Sequence, residues 1–162
     1  MSALHTFGAG PSTGMVVTDP ADMLELARFY RPAPHTERAE VTDPDAAARL
    51  FAPHFYGLDR EACIALHLDT KHRLIGTSTV SVGSIEHTFM SAREVFRDAL
   101  LANARATLLA HNHPSGDPEP SRDDEQVTRR LSRAGEMIGV DLLDHMVFGG
   151  DAWVSLARRG VL

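Results

Sequence analysis

Five stretches of the chain have the apolar pattern of β-strands. Apolar and other residues alternate over 61–69, so one or both faces of this segment are expected to be buried. A second strand is predicted over 73–79 and a third around 80–89. Residues 106–110 form a short, wholly apolar run, and 140–148 is a further strand candidate. A short apolar run of this kind is typical of a strand inside a sheet.

Apolar residues spaced three or four apart predict four helices. Two of them begin at similar Thr-Asp-Pro sequences, at Thr18 and Thr42, where proline suits the first helical turn. Ser91 is the predicted N-cap of the third helix and Ser121 of the fourth, which Gly139 is placed to end. Strands and helices that alternate along the chain predict a layered α/β fold.

Length and charge narrow the class of protein. A chain of 162 residues is expected to form one domain with a tail over 1–40, where glycines and a Pro-rich linker interrupt any pattern. The net charge of −6 disfavours general affinity for nucleic acid or anionic membranes. The single cysteine, Cys63, cannot form an internal disulfide, and no signal peptide or long apolar span is evident. We therefore expect a cytoplasmic protein.

Potential metal ligands are concentrated after the apolar run 106–110. His111 and His113 are two residues apart at a strand end, so their imidazoles project from the same face. A loop rich in proline leads to Ser121, and Asp124 falls in the first turn of the helix that Ser121 caps. Two nitrogens and one oxygen, with a fourth position open to water, are what a catalytic zinc site requires.

The same residues carry a resemblance to a known family. His-x-His, seven residues, Ser, two residues and Asp resemble the JAMM motif of the JAB/MPN metallopeptidase-like domains, and the whole string HNHPSGDPEPSRDD is most similar to the RadC family. The resemblance extends from about residue 41 to the C-terminus and includes 68–76, 91–100 and 142–150. It implies an α-β-α fold with a mixed central sheet, of JAB/MPN or cytidine-deaminase-like architecture, over 41–162. Many RadC relatives carry a helix-hairpin-helix region, for which 1–40 shows no glycine pattern.

Zinc hydrolysis also needs a base, for which the sequence offers four glutamates. Glu94 is explained as part of a helix cap, Glu119 lies between prolines in the loop, and Glu86 lies on the third predicted strand. Glu61 leads the segment 61–66, which resembles the JAMM strand whose first glutamate is the catalytic base. The resemblance therefore assigns the base to Glu61 and implies that Ser121 donates a hydrogen bond to the tetrahedral oxyanion.

These residues favour a zinc-dependent metallopeptidase or isopeptidase, in which His111, His113 and Asp124 hold Zn²⁺. Its substrate would be a peptide or isopeptide of unknown identity. Two alternatives from other classes are a non-catalytic MPN-type interaction module and a DNA-repair-associated factor, and an iron-binding oxygenase triad is a remote third. His145 is interpreted as a packed or hydrogen-bonding residue, with contact to a metal ligand as its alternative role.

Overall fold

The computed structural model describes residues 38–83 and 90–162. The helix predicted from Thr18 and the candidate base Glu86 lie outside the described residues, as does most of the third predicted strand.

Three helices and five strands make up the described part of the chain. The helices are α1 (Pro44–Phe55), α2 (Ala92–Leu101) and α3 (Arg122–Ile138). The strands are β1 (Ala62–Leu68), β2 (Leu74–Val82), β3 (Ala106–Asn112), β4 (Asp141–Gly149) and β5 (Ala152–Ser155). The α/β class predicted from the sequence is confirmed.

The five strands form one mixed sheet in the order β2-β1-β3-β4-β5. Only β3 and β4 pair in parallel, and α3 makes the crossover between them, as parallel neighbours require. The other three pairs are antiparallel. One boundary was predicted wrongly: residues 80–82 continue β2, because Val82 still pairs with Ala62 of β1, and they do not begin a third strand.

Helices cover both faces of the sheet. Phe51 of α1 packs over Ile64 and Leu66 on one face, whereas Phe96 of α2 and Leu131 of α3 pack on the other. β1 and β3 are therefore buried along their whole length. This sandwich confirms the α-β-α layering, and it explains why both strands consist mostly of apolar residues.

Helix caps fix where α1 and α3 begin: Asp43 of the Thr-Asp-Pro sequence caps α1, and the predicted cap Ser121 precedes α3. The Asp43 carboxylate accepts a hydrogen bond from the Ala46 amide at 2.7 Å, and the Ser121 hydroxyl accepts one from Asp124 N at 3.1 Å. The Asp124 carboxylate binds back to Ser121 N at 2.7 Å, which completes a capping box. Across the described ranges, no helix is long and apolar enough to cross a membrane.

Candidate metal centre

The three predicted metal ligands lie together where β3 ends and α3 begins. His111 is a fully buried residue of β3, His113 follows the strand directly, and Asp124 is the third residue of α3. A ligand atom of each residue lies within 4.8 Å of the other two. The first and last residues of a fourteen-residue segment, His111 and Asp124, thus lie side by side.

The spacing of these atoms suits a tetrahedral ion. His111 Nε2 lies 3.0 Å from His113 Nε2 and 3.3 Å from Asp124 Oδ1, and His113 Nε2 lies 3.8 Å from Asp124 Oδ2. Zinc bonds of about 2.0 Å would separate tetrahedral ligand atoms by about 3.3 Å. The donor set and its dimensions therefore fit Zn²⁺, and the His113 side chain is partly exposed.

A chain of hydrogen bonds fixes which nitrogen of His111 carries its proton. The Thr128 hydroxyl donates to the Asp124 carbonyl at 2.6 Å, so it can only accept from His145 Nδ1, also at 2.6 Å. Neutral His145 then has an unprotonated Nε2, which accepts from His111 Nδ1 at 2.8 Å. Neutral His111 is left with its Nε2 lone pair directed at the other two ligands.

His113 is oriented in the same way by a different partner. Its Nδ1 lies 2.8 Å from the Asp117 carbonyl oxygen, which can only accept a hydrogen bond. In the neutral form of His113, the lone pair is therefore on Nε2. This atom lies only 3.0 Å from His111 Nε2, which carries the lone pair of His111. Two such lone pairs beside a carboxylate repel one another unless a cation or a shared proton lies between them.

Burial favours the neutral form of the inner histidines. It lowers the pKa of His111 to about 4, against the opposing effect of the Asp124 charge, and it lowers the pKa of His145 well below its ordinary value. Neutral imidazole is the form that binds a metal ion. The electrostatics of the site thus agree with its geometry.

Ser121 contacts the metal centre through Asp124. Its hydroxyl donates to Asp124 Oδ2 at 2.6 Å, and its amide donates to the same oxygen. Asp124 Oδ1 remains the oxygen nearer to His111. The structure therefore places Ser121 at the centre as the residue that orients the aspartate.

Glu61 lies at the same end of the sheet, immediately before β1. β1 and β3 are antiparallel, and the last pair of their register at this end is Cys63 with His111, two residues away from Glu61. Asn112 fixes the backbone on both sides of the glutamate: its Oδ1 accepts from Ala62 N at 2.8 Å and its Nδ2 donates to the Arg60 carbonyl at 3.1 Å. Glu61 and the candidate ligand His113 thus flank the same end of the β1–β3 pair.

The other candidate bases are placed differently. The Glu94 carboxylate accepts from Arg97 at 3.2 Å on the exposed side of α2, and only the serine half of its predicted capping box is present. Glu119 forms a two-pronged ion pair with Arg159, at 2.6 and 2.8 Å. Both carboxylates are therefore held by arginines.

The loop between His113 and α3 packs tightly on the end of β4. A Cβ atom placed on Gly149 would lie 2.6 Å from the carbonyl carbon of Asp117 and 2.7 Å from the carbonyl oxygen of Gly116. Such distances are far inside van der Waals contact, so only glycine fits at this position. The close approach keeps the Asp117 carbonyl where it can accept from His113.

Sequence reasoning missed three residues that organise the centre: Asn112, Thr128 and Gly149. Thr128 had a visible signal, because it is a polar residue four positions after Asp124 on the buried face of α3. Asn112 stands between the two histidines but acts on a backbone about 50 positions away. The role of Gly149 depends entirely on tertiary contact.

The fold and the donor set together define a class of protein. A mixed sheet between helices, with a His-x-His strand end and an aspartate in the next helix, has the architecture of the JAB/MPN domains. The chain belongs to the RadC-like JAB domain family, which matches residues 41–161.

Curated relatives agree with this assignment. A UPF0758 protein of Desulfitobacterium hafniense is 40% identical over 139 residues, which are 86% of this chain and 61% of the relative. A UPF0758 protein of Alcanivorax borkumensis is 44% identical over 139 residues, 86% of this chain and 62% of the relative. One from Desulforamulus reducens is 37% identical over 155 residues, 96% of this chain and 67% of the relative. The chain thus spans about three fifths of the length of the first two.

Proposed function

We propose that this domain is a zinc-dependent hydrolase of peptide or isopeptide bonds. The observation that carries the proposal is the fixed orientation of the ligands: hydrogen bonds direct the Nε2 lone pairs of His111 and His113 and the carboxylate of Asp124 to one point. Three electron-rich atoms held this close together repel one another unless a cation or a shared proton lies between them. A catalytic zinc site needs this arrangement, with one position left open.

Zinc, when bound, lowers the pKa of a water molecule and polarises a carbonyl group. Glu61 is the proposed base that takes a proton from the attacking water and returns it to the leaving amine. Asn112 would hold Glu61 at the required distance, because it fixes the backbone on both sides of that residue. Ser121 would turn its hydroxyl from Asp124 towards the oxyanion, as the JAMM resemblance implies.

A non-catalytic interaction module is the less favoured alternative. Such a module needs the fold but not the ligands, whereas here the two histidines, the aspartate and the serine are all present. Thr128 and His145 are fully buried, and their hydrogen bonds lead to His111 and not to the protein surface. Support for hydrolysis therefore comes from the interior of the domain.

The test is hydrolysis of a quenched-fluorescence peptide library and of an isopeptide-linked conjugate. The zinc-loaded chain should cleave at least one substrate, and a chelator should abolish the activity until zinc is restored. Glu61→Gln should reduce the rate about 10²- to 10⁴-fold, the range expected for loss of a general base. Activity that survives both chelation and the substitution would refute the proposal.

A further inference from the structure

A cavity of about 610 Å³ opens beside the metal centre. It lies between the end of α1, the loop after His113 and the β4–β5 turn, and both Asn112 and His113 form part of its wall. A molecule bound at the open side of the ligands would therefore extend into this groove. The volume lies within the range of ligand sites, about 300–1,000 Å³.

Part of the wall of this groove is aromatic. Phe55 of α1 packs against Phe148 of β4 with ring centroids 5.0 Å apart, and Trp153 of β5 lines the same space. Ala48 and Ala52, on the same helix as Phe55, also line the groove, and their small side chains leave space beside the rings. Rings and methyl groups of this kind favour an apolar occupant.

Two charged groups near the aromatic side chains are paired with each other, and Arg49 and Asp151 also line the groove. The Arg158 guanidinium lies 5.2 Å from the centre of the Trp153 ring and also binds Asp45 at 2.9 Å. Arg158 thus covers one side of the tryptophan and neutralises the aspartate at the edge of the groove. A charged occupant would lose hydration against the rings without gaining that aspartate as a partner.

We propose that this groove binds the substrate residue next to the scissile bond and selects a large apolar side chain, an aromatic one above all. This inference rests on the proposed function, because the groove is assigned to the substrate only on the ground that His113 forms part of its wall. The residues that would determine specificity are Phe55, Phe148 and Trp153. Ala52, exposed on α1, controls how much room they have.

Trp153 allows a binding test that does not depend on turnover, since it is the only tryptophan of the chain. Its fluorescence would be followed while blocked tripeptides, acetyl-Gly-Phe-Gly-amide or acetyl-Gly-Ser-Gly-amide, are added to the zinc-loaded and the chelator-treated protein. The phenylalanine peptide should bind about ten-fold more tightly or better, which is the ratio expected for burial of its ring.

Two variants test the position of the bound residue. Ala52→Phe fills the groove from an exposed helical site and should weaken binding of the phenylalanine peptide about ten-fold. Ala52→Arg should also weaken binding of the phenylalanine peptide about ten-fold, and arginine has a high helix propensity, so α1 should be preserved. The matched control is Arg133→Phe, which adds a ring at an exposed position of α3 outside the groove and should leave binding unchanged. Thermal melts establish that each variant is folded.

The outcomes separate this inference from the proposed function. Preferential binding of the phenylalanine peptide that Ala52→Phe abolishes supports the groove even if no peptide is cleaved, a result that would instead count against the hydrolase. Equal binding of the two peptides, or binding unchanged in both Ala52 variants, overturns the groove inference. Zinc-dependent hydrolysis with no preference for apolar residues would also overturn it, while the hydrolase proposal would stand.

Discussion

Thr128 and His145 connect two candidate metal ligands that come from different elements. The connection runs from His111 of β3 through His145 of β4 to Thr128 and the Asp124 carbonyl of α3. Each bond fixes a proton on one nitrogen and leaves a lone pair on the next. Partners of this kind, which orient a ligand histidine without touching the ion, are worth about 10- to 100-fold in metal affinity.

Thr128→Val should therefore lower zinc affinity about 10- to 100-fold, because valine keeps the shape of threonine but accepts no hydrogen bond from His145. The measurement is competition for zinc with a chelating dye. Thr107→Val is the matched control: this threonine is equally buried, yet its hydroxyl contacts His67, away from the ligands. If both variants bound zinc as tightly as the native protein, the tautomer argument would be wrong.

The buried histidines also predict a dependence of stability on pH in the metal-free protein. Because burial lowers the pKa of His111 to about 4 and that of His145 well below its ordinary value, the unfolded chain binds more protons than the folded one below about pH 6.5. The contribution of neutral His111 and His145 to the free energy of unfolding is complete above about pH 6.5 and is lost as the pH falls towards 4. The urea concentration at the unfolding midpoint should decrease when the pH is lowered from 7.0 to 5.5. A midpoint that stays constant over this range would contradict the prediction.

At the scale of single residues, local rules were enough to predict which residues form the His-His-Asp group, but not which residues contact them. A histidine pair at a strand end and an aspartate in a capped first turn can be read from neighbouring letters. Asn112, by contrast, acts on a backbone about 50 positions away, and His145 contacts a histidine 34 positions earlier. No local pattern specifies which distant residues will meet.

Among the elements, the loop between β3 and α3 depends most on a neighbouring strand. Gly149→Ala would place a methyl group against the backbone of 116–118 and push the loop outwards. The Asp117 carbonyl would then move away from His113. We expect a loss of about 1–3 kcal/mol in the free energy of unfolding together with weaker zinc binding.

Gly135→Ala is the matched control for this prediction. A methyl group there would meet the Phe96 ring at 2.9 Å, and it would crowd the start of β4 far from the loop. Stability should fall in this variant too, but zinc affinity should not. Denaturant titration and zinc competition measure the two quantities separately. Equal zinc affinity in both variants would show that the loop does not position His113.

Element boundaries were predicted well where a cap or a glycine marks them. α3 begins after Ser121 and ends at Gly139, which adopts φ 77°, a conformation that glycine tolerates best. β2 was harder, because its residues are only partly buried and give no sharp pattern at 80–82. Its continuation is decided by pairing with β1, a contact that the local sequence does not encode.

For the whole molecule, the net charge of −6 makes a prediction about nucleic acid. The chain should bind duplex DNA only weakly and without sequence preference at physiological salt, because an acidic surface cannot release many counterions from the phosphates. Fluorescence anisotropy with a labelled duplex is the measurement. Submicromolar binding under those conditions would revive a direct DNA-binding role.

The architecture of the whole domain followed from the sequence at two levels. Alternating elements predicted a layered α/β fold, and the resemblance of the motif region to the RadC family supplied the mixed sheet and the layers. Helical and strand periodicity alone could not give the strand order, since β1 pairs with β3 across an intervening strand and helix. The groove beside His113 was also hidden, because its walls come from three distant segments.

Zinc content of the purified chain and three variants tests the central claim most directly. The native chain and Glu61→Gln should each hold about one zinc ion, since a general base touches the ion only through water. His113→Ala and Asp124→Asn should lose it, because each removes one of three ligands. Near-stoichiometric zinc in His113→Ala, or loss of zinc in Glu61→Gln as complete as in Asp124→Asn, would contradict the assignment of ligands and base.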